Sequence, residues 1–414
     1  MNIAFVVNEY VIDGSGAGGL ANYTYRIAKA LQHSDHKPLI IYCPWYKQYL
    51  DDEVITHDGI AVYIANPRWH KSLFILVLVS RLLKKGIRLQ RLLHIVFLEK
   101  IASTLDGLTR YFMYSYGARR KISELQSKTG IDVCQFTHLY GLGALSDTRI
   151  PTVCRLSSHP DLWGKFGLNT SRAEQIAQNI AIRRARLLIA PSSFVGNHVE
   201  GKYGKKVLFL PSPYLLRPEE SSISNQDDGG YGLYFGSLAE WKGIRVLVKA
   251  LKDVFKLNPE FKFFFIGRNL GSIESKPPSG FIEDELKAFN ANFTVLDNQT
   301  QESLRKYIDD SLFCCFPTLA DNFPNVVLDA MSASKCIIST HGRGVDEQII
   351  DGESGILVAP ESEHELADAI VKVINMPDDQ RRQYGRKARE RLEFFSPQAC
   401  ASQLVETYKQ YLLN

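Results

Sequence analysis

The chain has 414 residues, of which 45% are hydrophobic and 23% charged, and its formal net charge is +4 at pH 7. This composition is that of an ordinary soluble globular protein. The length predicts two domains that can each bury a core of their own. The net charge is too small to indicate nucleic-acid binding, so we expect no nucleic-acid partner.

Seven cysteines are scattered along the chain without any C-x-x-C pair. Most of them lie in apolar runs, which favours reduced core residues over disulfides or a zinc site. The N-terminus enters a strand-like run at 3–7 directly, without the basic start, long apolar stretch and cleavage site of a signal peptide. We therefore expect a cytoplasmic protein.

The first half alternates apolar runs with an amphipathic one, which predicts a parallel sheet with crossover helices. A strand at 3–7 is followed by a glycine loop at 14–19, a helix at 20–32 and a second strand at 39–42. Further strands are predicted at 54–55, 61–64, 131–135, 152–156, 187–190 and 207–210.

The pattern restarts after a linker predicted at 211–230. Strands are predicted at 232–236, 261–266, 293–296, 312–316, 336–340 and 355–358, and helices at 242–256, 302–309, 326–333 and 363–374. An amphipathic helix at 396–413 closes the chain. The sequence thus predicts two doubly wound α/β domains, 1–215 together with the helix 396–414, and 228–395.

The segment 68–100 does not fit this alternation. Its apolar part, 73–79, is too short to span a bilayer, and only Glu99 in the segment is acidic. Two interpretations stay open: a basic amphipathic helix on an anionic membrane surface, or a core-facing helix with a solvated basic face. The basic residues that follow the apolar part are Arg81, Lys84, Lys85, Arg88 and Arg91.

The glycine loop matches G-x-G-x-x-G, the fingerprint of dinucleotide-binding oxidoreductases, only formally. Six residues separate the strand from Gly14, and the second strand ends without the acid that would bind a ribose. We expect instead that the amides of Gly18 and Gly19 meet a phosphate or sugar at the helix start. The alternative is a plain connection that needs positive φ.

Asp321 and Asp329 stand eight positions apart, the first in a loop of turn formers and the second in the apolar helix that follows. This arrangement directs both carboxylates, and the free amides of the helix start, toward one region. Carboxylates accept hydrogen bonds from sugar and ribose hydroxyls, and the amides donate to a phosphate. The alternative is a solvated turn that caps a helix.

Five segments resemble, in order and spacing, the motifs of the retaining glycosyltransferases of family 4. The segments 235–243 and 265–267 are similar to the G-R-L-x-x-x-K-G loop and the next strand with its glycine. The segment 321–329 is similar to the E-x7-E motif. The segments 341–347 and 351–358 are similar to the closing G-x-x-E and G-x-x-G-x-L-V motifs.

The resemblance covers nearly the whole chain and is strongest over 232–375. It implies the GT-B fold: two Rossmann-like, doubly wound parallel-sheet domains that face a central cleft, with a C-terminal helix crossing back to the N-terminal domain. It also implies a sugar nucleotide held mostly by the C-terminal domain. Lys242 would hold the pyrophosphate, Asp321 the sugar hydroxyls and Asp329 the ribose hydroxyls. The other implied donor contacts are Gly18, Gly19, Gly236, Ser237, Gly267, Asn322, Phe323, Asn325 and Val326.

The chain departs from the family in its cations and its acids. Ser237 stands where the family usually has an arginine, and Arg245 and Arg268 are hypothetical substitutes. Both acids, Asp321 and Asp329, are aspartate rather than glutamate, and the shorter reach would change how the sugar fits.

The histidine that the family places after an N-terminal strand is also missing. Ser157 falls at its position, His159 follows two residues later, and His138 comes after the preceding strand. We treat both histidines as candidates for contact with the reacting end of the sugar.

The resemblance implies a hexosyltransferase that acts with retention, without a cofactor. No D-x-D sequence occurs, so we expect no metal. The donor would be a UDP- or GDP-linked sugar. The acceptor would be a glycan or polyprenyl-linked glycan of cell-surface polysaccharide biosynthesis, reached by peripheral contact of 68–100 with the inner face of the membrane. Three alternatives remain: an inactive partner subunit of the same fold, a sugar-nucleotide epimerase, or a non-enzymatic sugar-binding protein.

Overall fold

A computed structural model describes residues 1–13, 18–44, 54–70, 73–89, 96–147, 149–216 and 230–413. The chain forms two compact units. The first contains Met1–Pro191, Val195–Pro213 and Pro397–Asn414, and the second contains Ser192–Phe194 and Tyr214–Ser396.

The first unit is built on an eight-stranded sheet with the strand order β3-β4-β2-β1-β5-β6-β7-β8. All neighbours are parallel except β3, which pairs with β4 antiparallel. Its strands are β1 (Asn2–Val7), β2 (Lys37–Tyr42), β3 (Val54–His57), β4 (Ile60–Ile64), β5 (Val133–Thr137), β6 (Thr152–Arg155), β7 (Leu187–Ala190) and β8 (Val207–Phe209). Its first six helices are α1 (Gly19–Gln32), α2 (Leu73–Leu89), α3 (Val96–Thr129), α4 (Pro160–Gly164), α5 (Arg172–Arg184) and α6 (Ser193–Tyr203).

Strand β1 has a core on both of its faces. Ile3 and Phe5 belong to one buried cluster, and Ala4 and Val6 belong to another, because successive side chains of a strand point to opposite faces. This two-sided burial explains why the strands of this sheet are continuous apolar runs rather than alternating ones.

The C-terminal helix α13 (Pro397–Tyr408) packs on the first unit, against α1. Leu404 and Tyr408 join the cluster that contains Ile3 and Phe5. The Tyr408 hydroxyl donates a hydrogen bond to the buried Gln135 side chain on β5. The predicted return of the C-terminal helix to the N-terminal domain is therefore confirmed.

The second unit is built on a six-stranded parallel sheet with the order β11-β10-β9-β12-β13-β14. Its strands are β9 (Tyr231–Phe235), β10 (Phe263–Ile266), β11 (Phe293–Leu296), β12 (Ser311–Phe316), β13 (Cys336–Thr340) and β14 (Ile356–Val358). Its helices are α7 (Ile244–Leu257), α8 (Pro278–Glu285), α9 (Gln301–Asp310), α10 (Asn325–Ser332), α11 (Glu363–Ile374) and α12 (Asp378–Arg391).

The fourteen strands of the described residues lie where the sequence predicts them, to within two residues at each end. The predicted linker lies in part outside the described residues, at 217–229, as do residues 14–17 of the glycine loop. All seven cysteines are buried and unbridged, as predicted.

Two antiparallel helices, α2 and α3, connect β4 to β5, where the sequence indicated a single basic amphipathic segment at 68–100. The hydroxyl of Ser80 on α2 lies 3.3 Å from the carbonyl oxygen of Ala102 on α3, and Lys84 forms an ion pair with Asp106. Within the described residues, no helix combines the length and apolar character that crossing a bilayer requires.

Replacing Leu404 by alanine should destabilise the first unit. The side chain is fully buried between α13 and the sheet, so the Leu404→Ala change removes apolar contacts and leaves a cavity. We expect the free energy of unfolding of this unit to fall by about 2–5 kcal/mol in a urea titration. The neighbouring exposed change Gln403→Ala is the control and should alter it by less than about 0.5 kcal/mol. Equal effects of the two changes would show that α13 is not part of this core.

Candidate functional site

In the second unit, the strand order reverses between β9 and β12. The chain moves outward from β9 through β10 and β11 and then returns to β12 on the other side of β9. Ligands of open parallel sheets bind beyond the carboxyl ends of the strands at such a reversal. The two loops at this point are 236–243, after β9, and 317–324, after β12.

Backbone contacts hold these two loops together. The carbonyl oxygen of Trp241 accepts hydrogen bonds from the amides of Leu319 at 2.8 Å and Ala320 at 3.1 Å. Gly243 has φ +80°, and a Cβ atom there would lie 1.8 Å from the Pro317 carbonyl oxygen. Only glycine allows this approach, which explains the G that ends the motif 235–243.

The contact between the loops brings Lys242 and Asp321 together. The Lys242 ammonium forms an ion pair with Oδ2 of Asp321, and the amide of Asn322 donates to Oδ1 at 2.7 Å. The two side chains are 24% and 18% exposed, so both remain accessible from solvent. A cation suited to phosphate and a carboxylate suited to hydroxyl groups therefore stand side by side.

Phe323 gives the loop after β12 its shape. Its φ of +83° is unfavourable for an aromatic residue, and its buried ring packs edge-on against Phe395 with 5.2 Å between ring centroids. The buried Gln348 side chain donates to the Pro324 carbonyl oxygen at 3.1 Å. The turn directs the chain into α10, whose first residues are the predicted donor contacts Asn325, exposed, and Val326, half-buried.

Asp329 contacts a residue that the sequence did not single out. Its Oδ1 accepts a hydrogen bond of 2.8 Å from the hydroxyl of Tyr214, which also lies 3.2 Å from the Ser332 hydroxyl. A ribose bound at Asp329 would share the carboxylate with Tyr214. No sequence signal identifies Tyr214, because it follows the end of β8 in a segment without a motif.

The remaining predicted donor contacts, Gly236, Ser237 and Gly267, lie where β9 and β10 end. Gly267 has φ +157°, and a Cβ atom there would lie 1.7 Å from the Gly236 carbonyl oxygen. The Ser237 carbonyl accepts a hydrogen bond of 2.6 Å from the buried Tyr234 hydroxyl. These residues fix the backbone of the loop that carries Lys242.

The two proposed substitutes for the missing arginine, Arg245 and Arg268, have different surroundings. The Arg245 guanidinium donates to Glu240, with Nε at 2.7 Å, and forms a second ion pair with Glu274. These hydrogen bonds raise the pKa of Arg245 above its usual range. Arg245 is therefore occupied by protein carboxylates, whereas Arg268 is exposed.

The loop after β13 supplies a third arginine. Within the described residues, three of its buried polar atoms have no hydrogen-bond partner: Nε of Arg343, Oε2 of Glu347 and Oε1 of Gln348. The loop adjoins the site, because a Cβ atom on Gly344 would lie 2.5 Å from the Asp321 carbonyl oxygen. Buried polar atoms are rarely left unpaired, so this group is suited to receive a polar ligand. Arg343 and Glu347 lie in the segment 341–347 that resembles the G-x-x-E motif, but the resemblance gave them no role, and Gln348 lies just outside that segment.

The sheet of the first unit also has a reversal of strand order, with polar residues beyond the carboxyl ends of its strands. Its strand order reverses between β1 and β5. Asn8 directly follows β1, His138 directly follows β5, and Ser157 comes two residues after the end of β6. Among the described residues, Oδ1 of Asn8 and Oγ of Ser157 are buried without a hydrogen-bond partner. His138 is fully buried, and its Nδ1 accepts from the Ser157 amide at 3.3 Å while Nε2 lies 3.4 Å from the Ser158 hydroxyl.

His159 is also buried and bonded to protein groups. Its Nδ1 accepts from the Asp161 amide at 3.3 Å, which caps α4, and its Nε2 lies 3.3 Å from the Tyr203 hydroxyl. Burial lowers the pKa of His138 to about 4 and that of His159 to about 3. Both imidazoles are therefore neutral at pH 7. Contact of either with substrate stays a prediction.

The carboxylate of Glu9 lies at the start of α1, where the sequence predicts a phosphate or sugar contact at Gly18 and Gly19. Its Oε1 accepts from the Ala21 amide at 3.3 Å, and a Cβ atom on Gly18 would lie 2.9 Å from the same oxygen. A carboxylate is stable at this positive helix end. A phosphate at the same place would meet the charge of Glu9, so the geometry favours a hydroxyl group.

Comparison with known proteins gives a family match in the second half. Residues 217–391 match the family model of glycosyl transferases group 1. An uncharacterized glycosyltransferase of Methanocaldococcus jannaschii is 25% identical over 54% of this chain and 59% of its own. The capsular polysaccharide biosynthesis glycosyltransferase CapM of Staphylococcus aureus is 27% identical over 43% of this chain and 46% of its own. The chain thus spans about half the length of these curated relatives.

Solved structures match the whole fold. Sucrose-phosphate synthase from Thermosynechococcus elongatus superposes with a TM-score of 0.67 at 18% identity, over 99% of this chain and 98% of that one. The lipopolysaccharide outer core galactosyltransferase WaaB superposes with a TM-score of 0.66 at 13% identity, over the full length of both. The predicted GT-B fold and the resemblance to glycosyltransferases are confirmed.

Burial of His138 should make the stability of the first unit depend on pH. The unfolded histidine titrates near its ordinary pKa of about 6.5, and the folded one near 4. Between these values the unfolded state binds more protons, so the free energy of unfolding falls as the pH falls, by at most about 1.4 kcal/mol per pH unit for this group. The contribution of His138 to the free energy of unfolding is fully present above its unfolded pKa of about 6.5 and is lost as the pH falls toward 4.

Urea titrations between pH 7.5 and pH 4.5 check this dependence. His138→Gln should make the decline shallower, whereas His33→Gln, at an exposed position, should leave it unchanged. A decline of the same slope in His138→Gln would assign the pH dependence to other groups.

Proposed function

We propose that this chain is a retaining glycosyltransferase that moves a hexose-type sugar from a UDP- or GDP-linked donor to a glycan or lipid-linked acceptor. The observation that carries the proposal is the Lys242–Asp321 ion pair at the strand-order reversal of the second unit, inside the segment that matches glycosyl transferases group 1. The pair combines the two chemical groups that a sugar diphosphate requires.

The donor diphosphate would become the partner of Lys242. A phosphate oxygen would replace Oδ2 of Asp321 beside the ammonium, and the carboxylate would turn to hydroxyls of the sugar. Lys242 would then stabilise the negative charge that grows on the leaving nucleoside diphosphate. The amides of Asn322, Phe323 and the start of α10 would add donors to the same group.

Transfer would occur with retention of the anomeric configuration. The acceptor hydroxyl would attack from the face that the diphosphate leaves, through an oxocarbenium-like transition state. The acceptor proton would pass to the departing phosphate oxygen. The proposal assigns no cofactor and no metal, because the sequence contains no D-x-D motif to hold a metal-bound diphosphate.

The first unit would bind the acceptor. The unpaired polar atoms of Asn8 and Ser157, and the Glu9 carboxylate at the start of α1, are suited to hydroxyl groups rather than to phosphate. The match to a capsular polysaccharide glycosyltransferase supports a place in cell-surface polysaccharide biosynthesis. We include peripheral contact of 68–100 with the inner face of an anionic membrane in this proposal.

One observation favours a second candidate, a catalytically inactive partner subunit. Ser237 replaces a cation, and both candidate histidines are buried against protein groups. Turnover of a sugar nucleotide by the purified chain separates the two candidates, and an inverted anomeric configuration in the product would rule out the retaining mechanism.

Two substitutions should separate the roles of the ion pair. Lys242→Met should weaken binding of both a nucleoside diphosphate and its sugar conjugate by at least about tenfold, because a charged hydrogen bond contributes about 1.5–3 kcal/mol. Asp321→Asn should weaken only the sugar conjugate. Calorimetric titration with UDP, GDP and their glucose and mannose conjugates gives the affinities.

Lys249→Met is the matched control, because Lys249 is a half-exposed lysine on α7 that pairs with Glu363. It should leave every affinity unchanged. Equal weakening of diphosphate and sugar conjugate by Asp321→Asn would show that Asp321 does not contact the sugar.

Arg343 should supply the cation that is missing at Ser237. Arg343→Gln should weaken binding of the nucleoside diphosphate by about tenfold, the loss of one charged contact. Ser237→Arg in the same chain should restore affinity, because it returns a cation to the loop of Lys242. Arg268→Gln, which removes an exposed arginine, is the control. Unchanged affinity in Arg343→Gln together with a loss in Arg268→Gln would assign the role to Arg268.

A further inference from the structure

Helix α2 carries a continuous apolar stripe that faces solvent. Phe74, Ile75, Leu78, Val79 and Leu82 are each between 40 and 64% exposed. Their spacing of one, four, five and eight positions from Phe74 places them on one face of a helix. Single exposed apolar residues are common on protein surfaces, but a contiguous patch of this size marks an interaction site.

The opposite face of α2 is the one that packs on the protein. Leu73 and Ser80 are buried, and the Ser80 hydroxyl contacts the Ala102 carbonyl and the Asp106 carboxylate on α3. The sequence had left open whether the apolar residues of this segment face the core. In the structure the core-facing side includes a serine, and the apolar stripe points outward.

The charges beside the stripe indicate its partner. Arg81 is exposed, and it lies two helical turns from Phe74, beside the stripe. Lys84 is also exposed, but it lies one turn from the buried Ser80, on the side that faces α3, where it pairs with Asp106. The segment 68–100 contains eight lysine and arginine residues and a single acid, Glu99. An apolar stripe beside a cation, in a segment this basic, matches an anionic lipid surface.

Trp69 is an exposed aromatic residue four positions before the start of α2. Its side chain is 58% exposed. Tryptophan is favoured at the boundary between lipid headgroups and acyl chains, because its ring is apolar and its N–H is polar. No described helix could cross the bilayer, so the contact would be one of a helix lying in the membrane surface.

We propose that α2 docks the first unit onto an anionic bilayer. The stripe enters the region below the headgroups, Trp69 lies at the boundary, and Arg81 extends its charged end to lipid phosphates. The proposal refines the membrane contact of the proposed function by naming the inserting face, but it does not depend on sugar transfer. If both hold, a lipid-linked acceptor would be delivered to the unit proposed to bind it.

Vesicle co-sedimentation of the full chain tests the proposal. The chain should bind vesicles of phosphatidylcholine with about 30% phosphatidylglycerol at about 0.15 M salt and release them at least partly at about 0.5 M. It should bind pure phosphatidylcholine at least tenfold more weakly. The triple change Phe74→Ser, Ile75→Ser and Leu82→Ser should lower binding to anionic vesicles by at least tenfold.

Two further variants identify the source of binding. Arg81→Glu should weaken binding and reduce its salt dependence. Leu257→Ser with Phe394→Ser removes apolar side chains that are at least as exposed, but in the second unit, and should bind like the unchanged chain. An equal loss in this control would show that the stripe has no special role.

Two other measurements keep the outcomes distinct. Donor affinity of the triple variant in solution should equal that of the unchanged chain, which also shows that the variant is folded. If the unchanged chain binds no nucleotide-sugar donor, the proposed function is contradicted, but the membrane proposal is not affected. Failure of the unchanged chain to sediment with anionic vesicles would overturn the membrane proposal. A dimer that the triple change dissociates, without vesicle binding, would instead make the stripe an interface between two copies.

Discussion

The candidate donor site depends on one carbonyl group. The Trp241 oxygen accepts hydrogen bonds from Leu319 and Ala320, and so joins the loop after β9 to the loop after β12. The parallel sheet places these loops next to each other, and this contact helps to hold Lys242 within reach of Asp321. The glycine after Lys242 is required for the same reason, since any side chain there would collide with the Pro317 carbonyl. The site is therefore organised by backbone groups, and its charged side chains depend on that frame.

A second feature common to both units is that, among the described residues, several buried polar atoms near strand ends have no hydrogen-bond partner. In the first unit Asn8 and Ser157 follow β1 and β6, and in the second Arg343 and Glu347 follow β13. All four lie past carboxyl ends of parallel strands, which is where such sheets bind ligands. Leaving these atoms unpaired lowers stability, since buried polar groups normally find partners. Their distribution supports ligand binding at both sheets.

The strands could be predicted from sequence because burial on both sheet faces makes each one a short continuous apolar run. The resemblance named Lys242 and Asp321 as separate donor contacts, but it did not predict their ion pair, because that pair depends on how the two loops contact each other. The contacts of Glu9 and Tyr214 could not be predicted, because the partner of each is distant in sequence. Glu9 accepts from the Ala21 amide at the start of α1, and Tyr214 donates to the Asp329 carboxylate on α10. The orientation of α2 was also undetermined. Its apolar and basic residues fit either packing, and the buried contacts of Ser80 with α3 decide which face is exposed.

The buried histidines bear on how the proton would move during transfer. Burial keeps His138 and His159 neutral at pH 7, and the nearest partners of each imidazole are protein groups. A general base must take a proton from the acceptor, and a ring with a pKa of about 4 is a poor one near neutral pH. His138 instead positions the Ser157 amide and the Ser158 hydroxyl at the carboxyl edge of the sheet. The proposed transfer, in which the departing diphosphate would take the acceptor's proton, does not require either histidine as a base.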